Sequence, residues 1–283
     1  MPTFTNQATL SYNAGVANSN IVTGEIIQVL SATKTVLDSG YRPGDPVTYI
    51  VTLVNSGTAP YTGLTVTDDL GAYTLGSTTV YPLDYSGNVN YYVNGTLQPE
   101  PAVTQGPPLV FSGISVPAGG NALLIYQATP NGFAPLGVES EITNTATVNG
   151  AGLTAPITAS ATLAGNTEPQ LSIAKTLSPT TVSENGTITY TFLIENRGAT
   201  AAEVTDNLSV TDTFDPILSN LTVTLNGVTL ASPADYTYDA ATGLFTTVPG
   251  RITVPAATFT QDPVTGAYTT VPGTAILQVT GTV

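Results

Sequence analysis

Val47-Thr-Tyr-Ile-Val-Thr-Leu-Val-Asn-Ser-Gly57 recurs as Ile188-Thr-Tyr-Thr-Phe-Leu-Ile-Glu-Asn-Arg-Gly198, 141 residues further on. Each copy is rich in β-branched and aromatic side chains and stops at Asn-x-Gly, so each reads as a strand ending in a turn. The repeat extends both ways. Leu30-Ser-Ala-Thr-Lys-Thr-Val36 matches Leu171-Ser-Ile-Ala-Lys-Thr-Leu177 at the same offset. Leu64-Thr-Val-Thr-Asp-Asp-Leu70 matches Leu208-Ser-Val-Thr-Asp-Thr-Phe214 after a short insertion near Asp206. Self-similarity of this kind means one fold written twice.

Further strand signals at Leu109–Val116, Ala122–Ala128 and Ile142–Val148 are separated by Gly, Pro, Asn and Asp. Short strands at that spacing predict an all-β protein of two tandem immunoglobulin-like β-sandwiches. The polar stretch Ala164-Gly-Asn-Thr-Glu-Pro-Gln170 marks their boundary. At 283 residues each half can bury its own core. With 27 Gly, 21 Pro and charged residues at 8%, sheets and tight turns are favoured over helical bundles.

Absences narrow the function. The chain has no His and no Cys, which excludes Ser-His-Asp and Cys-His nucleophile systems, the usual zinc ligand sets and a disulfide framework. No apolar run is long enough to span a membrane as a helix. A formal charge of −14 disfavours nucleic acid and anionic lipid as partners. Met1 is followed by no basic and apolar leader of the secretory kind, so export by another route, or none, is expected.

The two repeats differ at their ends. The first closes with Glu141-Ile-Thr-Asn-Thr-Ala-Thr-Val148, and the second has no counterpart after Ala275–Val283. That counterpart stands at the N-terminus, where Phe4-Thr-Asn-Gln-Ala-Thr-Leu10 matches Ile142–Val148. A sandwich lacking a strand exposes unpaired backbone and bare core, and a strand from another chain can fill the gap. The expected organisation is a donor strand and connector over 1–24, a first sandwich over 25–163, and a second over 164–283 that lacks its final strand.

Side chains alternate across a strand, so residues of equal parity share a face. Leu30, Ala32, Lys34 and Val36 fall together, as do Leu64, Val66, Asp68 and Leu70, and Ile142, Asn144, Ala146 and Val148. A Lys, an Asp and an Asn therefore point inward in the first repeat. Lys175 and Asp212 do so in the second, and Phe4, Asn6, Ala8 and Leu10 share a face on the N-terminal strand. Lys34 and Lys175 are the two lysines of the chain, which argues against a role in solubility. Burial favours a neutral amine and a protonated carboxyl. A neutral amine beside an Asn carboxamide, polarised by a protonated Asp, can form an isopeptide bond with loss of ammonia.

The order Lys-Thr, Val-Thr-Tyr, Asn-x-Gly, Val-Thr-Asp and Thr-Asn-x-Ala-Thr-Val resembles the DUF11 conserved repeat of bacterial surface proteins. The Lys/Asp/Asn trio is similar to that of self-crosslinking, immunoglobulin-like pilin and adhesin domains. The resemblance implies an intramolecular Lys34–Asn144 bond promoted by Asp68. It also implies a site at Lys175 and Asp212 whose missing Asn is Asn6 of another copy. Other readings stand beside it. Lys and Asp could form a buried ion pair with Asn as a hydrogen-bonding neighbour, a strand phase could slip by one residue, or each Asn could serve the Lys that follows it in the chain. Asp69 and Asp206 read as surface acids.

The expected function is structural: a head-to-tail homopolymer forming an extracellular appendage on a bacterial cell or spore, with a host or cell surface as a further partner. Phe4, Ala8 and Leu10 would anchor the joint. No cofactor and no metal site is expected, although Asp-rich turns such as Asp38–Asp45 leave calcium open. Chemistry of this kind is one self-modification per site, not turnover. The alternative is a monomeric adhesin or carbohydrate-binding module using Tyr81, Tyr85, Tyr91 and Tyr92.

Overall fold

In a computed structural model, which describes residues 3–283, strands and turns make up the chain, with one 3-10 turn at Val204–Asp206. The N-terminal segment holds β1 (Thr3–Asn6), β2 (Thr9–Tyr12), β3 (Gly15–Asn18) and β4 (Val22–Glu25). β1 pairs antiparallel with β4, and β2 with β3, so the segment folds back on itself as one two-stranded ribbon. Where the sequence reading expects a connector over 13–24, two strands return along the first pair. A two-residue turn at Asn13 and Ala14 brings Tyr12 opposite Gly15, and β-branched Val16, Val22 and Thr23 favour pairing over a solvated linker.

The remaining strands of the first unit are β5 (Leu30–Val36), β6 (Val47–Asn55), β7 (Tyr61–Asp68), β8 (Tyr73–Leu75), β9 (Thr78–Val80), β10 (Leu83–Val93), β11 (Thr96–Leu97), β12 (Ala102–Thr104), β13 (Leu109–Val116), β14 (Asn121–Pro130), β15 (Glu141–Asn149) and β16 (Ile157–Ala164). They form two five-stranded sheets, ordered β11-β10-β14-β6-β5 and β12-β13-β7-β15-β16. The inward faces bury Tyr49, Leu53, Leu64, Phe111, Leu124 and Tyr126 at no more than 1% exposure, a sandwich core of interleaved rings and branched chains. Asn55, at the end of β6, is buried and donates to the carbonyls of Ala59 and Pro117 while accepting from Gly57 N–H. Asn196 does the same for Thr200, Pro255 and Gly198. The repeated Asn-x-Gly is thus a buried amide that satisfies loop backbone, which explains why both copies keep it.

The second unit contains Pro135–Ser140 and Gly165–Val283. Its strands are β17 (Leu171–Ser178), β18 (Thr187–Asn196), β19 (Thr211–Thr213), β20 (Ser219–Leu225), β21 (Val228–Thr229), β22 (Tyr236–Asp239), β23 (Leu244–Thr247), β24 (Thr258–Gln261), β25 (Tyr268–Val271) and β26 (Gly273–Thr282). One sheet is ordered β17-β18-β26-β20-β21 and reproduces the first sheet of the other unit. The facing sheet is reduced to β19-β23-β22, and no described strand of this unit stands where β15 and β16 stand in the first. β19 is correspondingly short: the match to Leu64–Leu70 predicts a strand over Leu208–Phe214, and three residues of it form a ladder, with one neighbour, β23.

Missing cover shows in exposure. β5 keeps Leu30 at 3%, whereas its equivalent β17 is exposed at every residue, with Leu171 at 43% and Ile173 at 56%. Leu30→Ala is therefore expected to lower the stability of the first unit by about 2–5 kcal/mol. Leu171→Ala in the monomer is expected to cost under about 1 kcal/mol. Calorimetry resolving the two units checks the contrast.

Candidate functional site

The inward parity of β5 carries Lys34 into the first core, where its side chain is fully buried. β7 delivers Asp68 from the facing sheet, and Lys34 Nζ lies 2.6 Å from Asp68 Oδ2. The Tyr126 hydroxyl donates to the same oxygen, and Asp68 Oδ1 accepts from Leu70 N–H at 2.9 Å. Tyr49 and Tyr126 stack with centroids 5.8 Å apart, and Lys34 Nζ is 5.0 Å and 5.9 Å from the two rings. β15 pairs Ala146 with Asp68 and buries Asn144 completely. Asn144 Oδ1 accepts from Gly71 N–H at 3.3 Å, while its Nδ2 is buried with no hydrogen-bond partner.

Burial pushes the Lys34 ammonium below the usual lysine range, against the opposing attraction of Asp68. Burial likewise raises the Tyr49 and Tyr126 phenols, with the Asp68 charge adding to it and the Asn144 carboxamide opposing it. Asp69 is not the surface acid the sequence suggests. It is half-buried, accepts from Gly71 and Thr145 N–H at 2.9 Å and 2.8 Å, and burial raises its carboxyl. Asp206 is exposed and caps the 3-10 turn through Glu203 N–H. The cluster therefore holds an amine whose ammonium form burial disfavours, an aspartate with a phenol on it, and a carboxamide that faces the two phenols with its nitrogen in no well-formed hydrogen bond. These are the groups amide exchange requires.

Lys175 and Asp212 are paired in the second unit, but their side chains are 41% and 19% exposed. Lys175 Nζ sits 4.4 Å from the Tyr190 centroid and 5.5 Å from those of Phe192 and Phe214. Val279 stands opposite Tyr190 where Tyr126 stands opposite Tyr49, so no phenol reaches this carboxylate from β26. Beside the pair runs an apolar groove lined by Leu171, Ile173, Ile194, Leu208, Val210 and Ile252. Phe4, Asn6, Ala8 and Leu10 are exposed on the ribbon, with Asn6 opposite Val22.

The structure thus brings Lys34, Asp68 and Asn144 together and pairs Lys175 with Asp212. Asn144 lies in the unit of Lys34, not of Lys175. Tyr49 and Tyr126 are partners the sequence reading passed over, although Tyr49 shares its parity with Val47 and Val51 and so had to face inward. Of the four tyrosines of the adhesin alternative, none is fully exposed. Tyr91 is buried with its hydroxyl bonded to Ser115, Tyr85 packs on Phe111 and Tyr126, and Tyr81 and Tyr92 are half-buried. Asp38 accepts from Thr48 N–H at 2.7 Å, and among the described residues no cluster of acidic side chains is arranged to hold a metal ion.

An unlinked Lys34 makes a signed prediction. Its folded-state pKa is lowered, so between that value and the ordinary lysine range the unfolded chain binds the extra proton and stability rises with pH. Asn144→Ala, which removes any acceptor carboxamide, is expected to show this rise in urea unfolding as pH climbs toward the ordinary lysine range. A linked wild-type protein, whose Nζ is an amide, is expected to lack it.

No family model matches the chain, so the DUF11 resemblance rests on its motifs, and no curated protein matches it. Solved structures similar to it include the pilus backbone protein RrgB of Streptococcus pneumoniae, at 14% identity and TM-score 0.36 over 86% of this chain and 55% of that one. BcpA, the major pilin subunit of Bacillus cereus, has 11% identity and TM-score 0.36 over 96% of this chain and 73% of that one. The collagen-binding domain of a Staphylococcus aureus adhesin has 11% identity and TM-score 0.30 over 48% of this chain and 99% of that one. The chain spans about half the length of the pneumococcal structure. At these values the likenesses carry no argument about activity.

Proposed function

We propose that the chain is a structural subunit of an extracellular filament on a bacterial cell or spore, polymerising head to tail as the N-terminal strand of one copy enters the second unit of the next. One observation carries this reading. Phe4–Leu10 repeats the sequence of β15, is exposed, and runs through β1 and β2, whose combined span matches the strand whose place beside β19 is open. By register with β15, Ala8 would lie opposite Asp212 and Leu10 opposite Val210. Phe4, Ala8 and Leu10 would then cover the groove, and the free edge of β19 would gain a partner. Such a contact is heterologous and does not close, so it propagates as a fibre.

In the same register Asn6 would take the place that Asn144 has beside Lys34 and Asp68. The neutral amine of Lys175 would attack Asn6 Cγ; an Nζ–Cγ bond forms, the Cγ–Nδ2 bond breaks, and Nδ2 leaves as ammonia carrying the amine's proton. The balance needs no oxidant, cofactor or water. Asp212 would take a proton from the Lys175 ammonium, freeing the amine, and would then donate that proton as a hydrogen bond to the Asn6 carbonyl oxygen; Asp68 would do so for an intramolecular Lys34–Asn144 link. Each site reacts once, so the protein is not a turnover enzyme.

Boiled wild-type protein is expected to run as a ladder on a denaturing gel, with one ammonia lost per joint by mass spectrometry. Asn6→Ala and Lys175→Ala are each expected to collapse the ladder to monomer, with the Lys34–Asn144 link retained. A wild-type chain that stays monomeric at all concentrations would refute the filament reading.

A further inference from the structure

We infer that the donated element is the whole ribbon, β1 to β4, and that its return strand replaces β16 as the edge of the acceptor sandwich. This rests on the filament reading above and names the part of the second copy that the groove takes. The observations concern which strand covers what. In the first unit β5 is covered chiefly by β16, and β15 itself makes little contact with it. Ala161 and Leu163 of β16 are buried at 8% and 3%, so this edge strand contributes to the core. The equivalent of β5 in the second unit, β17, is bare along its length, and it carries Lys175. A single inserted strand would pair with β19 and leave β17 wet. A second strand is needed to bury Leu171 and Ile173 and to take water from Lys175.

The ribbon has that second strand already in place. Directly opposed residues of an antiparallel pair share a face. β15 and β16 pair Ile142 with Leu163, Asn144 with Ala161 and Val148 with Ile157. The ribbon pairs Phe4 with Gly24 and Asn6 with Val22, and, after a one-residue shift of register on the return side, Leu10 with Ala17. Val22 thus stands to Asn6 as Ala161 stands to Asn144. Phe4 and Gly24 divide their volume differently from Ile142 and Leu163, with one large ring lying over a residue that has no Cβ, where a Cβ would run into the Phe4 ring. Thr23 occupies the position of Thr162, which faces solvent. Because the pairing exists before docking, insertion orders little additional backbone. The return strand seals the joint, and Val22 lies over the Asn6–Lys175 pair.

The test compares full-length wild type, Val22→Asp and Thr23→Asp by light scattering and denaturing gel. Val22 is 55% exposed in the free chain, so both variants are expected to fold as monomers. Val22→Asp is expected to weaken assembly by about a hundredfold or more, because it buries an unpaired carboxylate at the edge, and Thr23→Asp by no more than about twofold. Assembly of Val22→Asp at wild-type levels would show that one strand alone is donated, overturning this inference and leaving the filament reading intact. Equal loss in both variants would overturn the assignment of faces. A monomeric wild type would overturn the filament reading, and this inference with it.

Discussion

A lysine on the inward face of a β-strand has to be covered, and the cover determines what becomes of its charge. In the first unit Lys34 is enclosed by two complete sheets, with Asp68 on its nitrogen and two tyrosine rings at its sides. Moving an ammonium out of water costs several kcal/mol even with a partner, so the enclosure biases the group toward its neutral form. Asn144 stands in the same enclosure with an unbonded amide nitrogen. A buried donor with no acceptor is itself destabilising. Exchange of that nitrogen for the lysine's would remove the charge and leave one N–H donor where the amine and the carboxamide together had several.

The second unit holds the same charge pair without the enclosure. Its five-stranded sheet is intact, its facing sheet stops at β19, and the side chains that the missing strands would cover are exposed. Lys175 is therefore solvated, and its pair with Asp212 is the kind of partly exposed contact that contributes little by itself. On this reading reactivity would follow assembly. The groove would be inert while open, and dehydration on docking would create the condition under which the amine can act. A joint built this way would link a seated donor and spare a passing one.

Much of this was legible along the chain. The repeat, the strand positions and the inward parity of Lys34, Asp68 and Asn144 follow from alternation and from matching segments, because a period of two leaves a mark in sequence. The Asn-x-Gly ends of β6 and β18 were visible too, although their role as buried amides tying loop backbone was not. Tyr126 escaped notice because its partner Asp68 is 58 residues away and on the facing sheet. The four tyrosines of 81–92 looked like a binding surface, since an insertion gives no sign of which side of it packs. Asp69 looked like a surface acid because exposure at a strand end depends on what crosses over it.

By itself the sequence determined the all-β class, the duplication, the lysine, aspartate and asparagine positions, and the kinship of Phe4–Leu10 with β15. These are local or periodic properties, and each is written in a few adjacent residues. The tertiary structure decided which strands cover which faces: that β16 is what shields β5, that Lys34 is enclosed while Lys175 is open, and that residues 13–25 return as a paired strand. Coverage is a relation between segments far apart in the chain, fixed when sheets pack, and strand alternation contains no information about it.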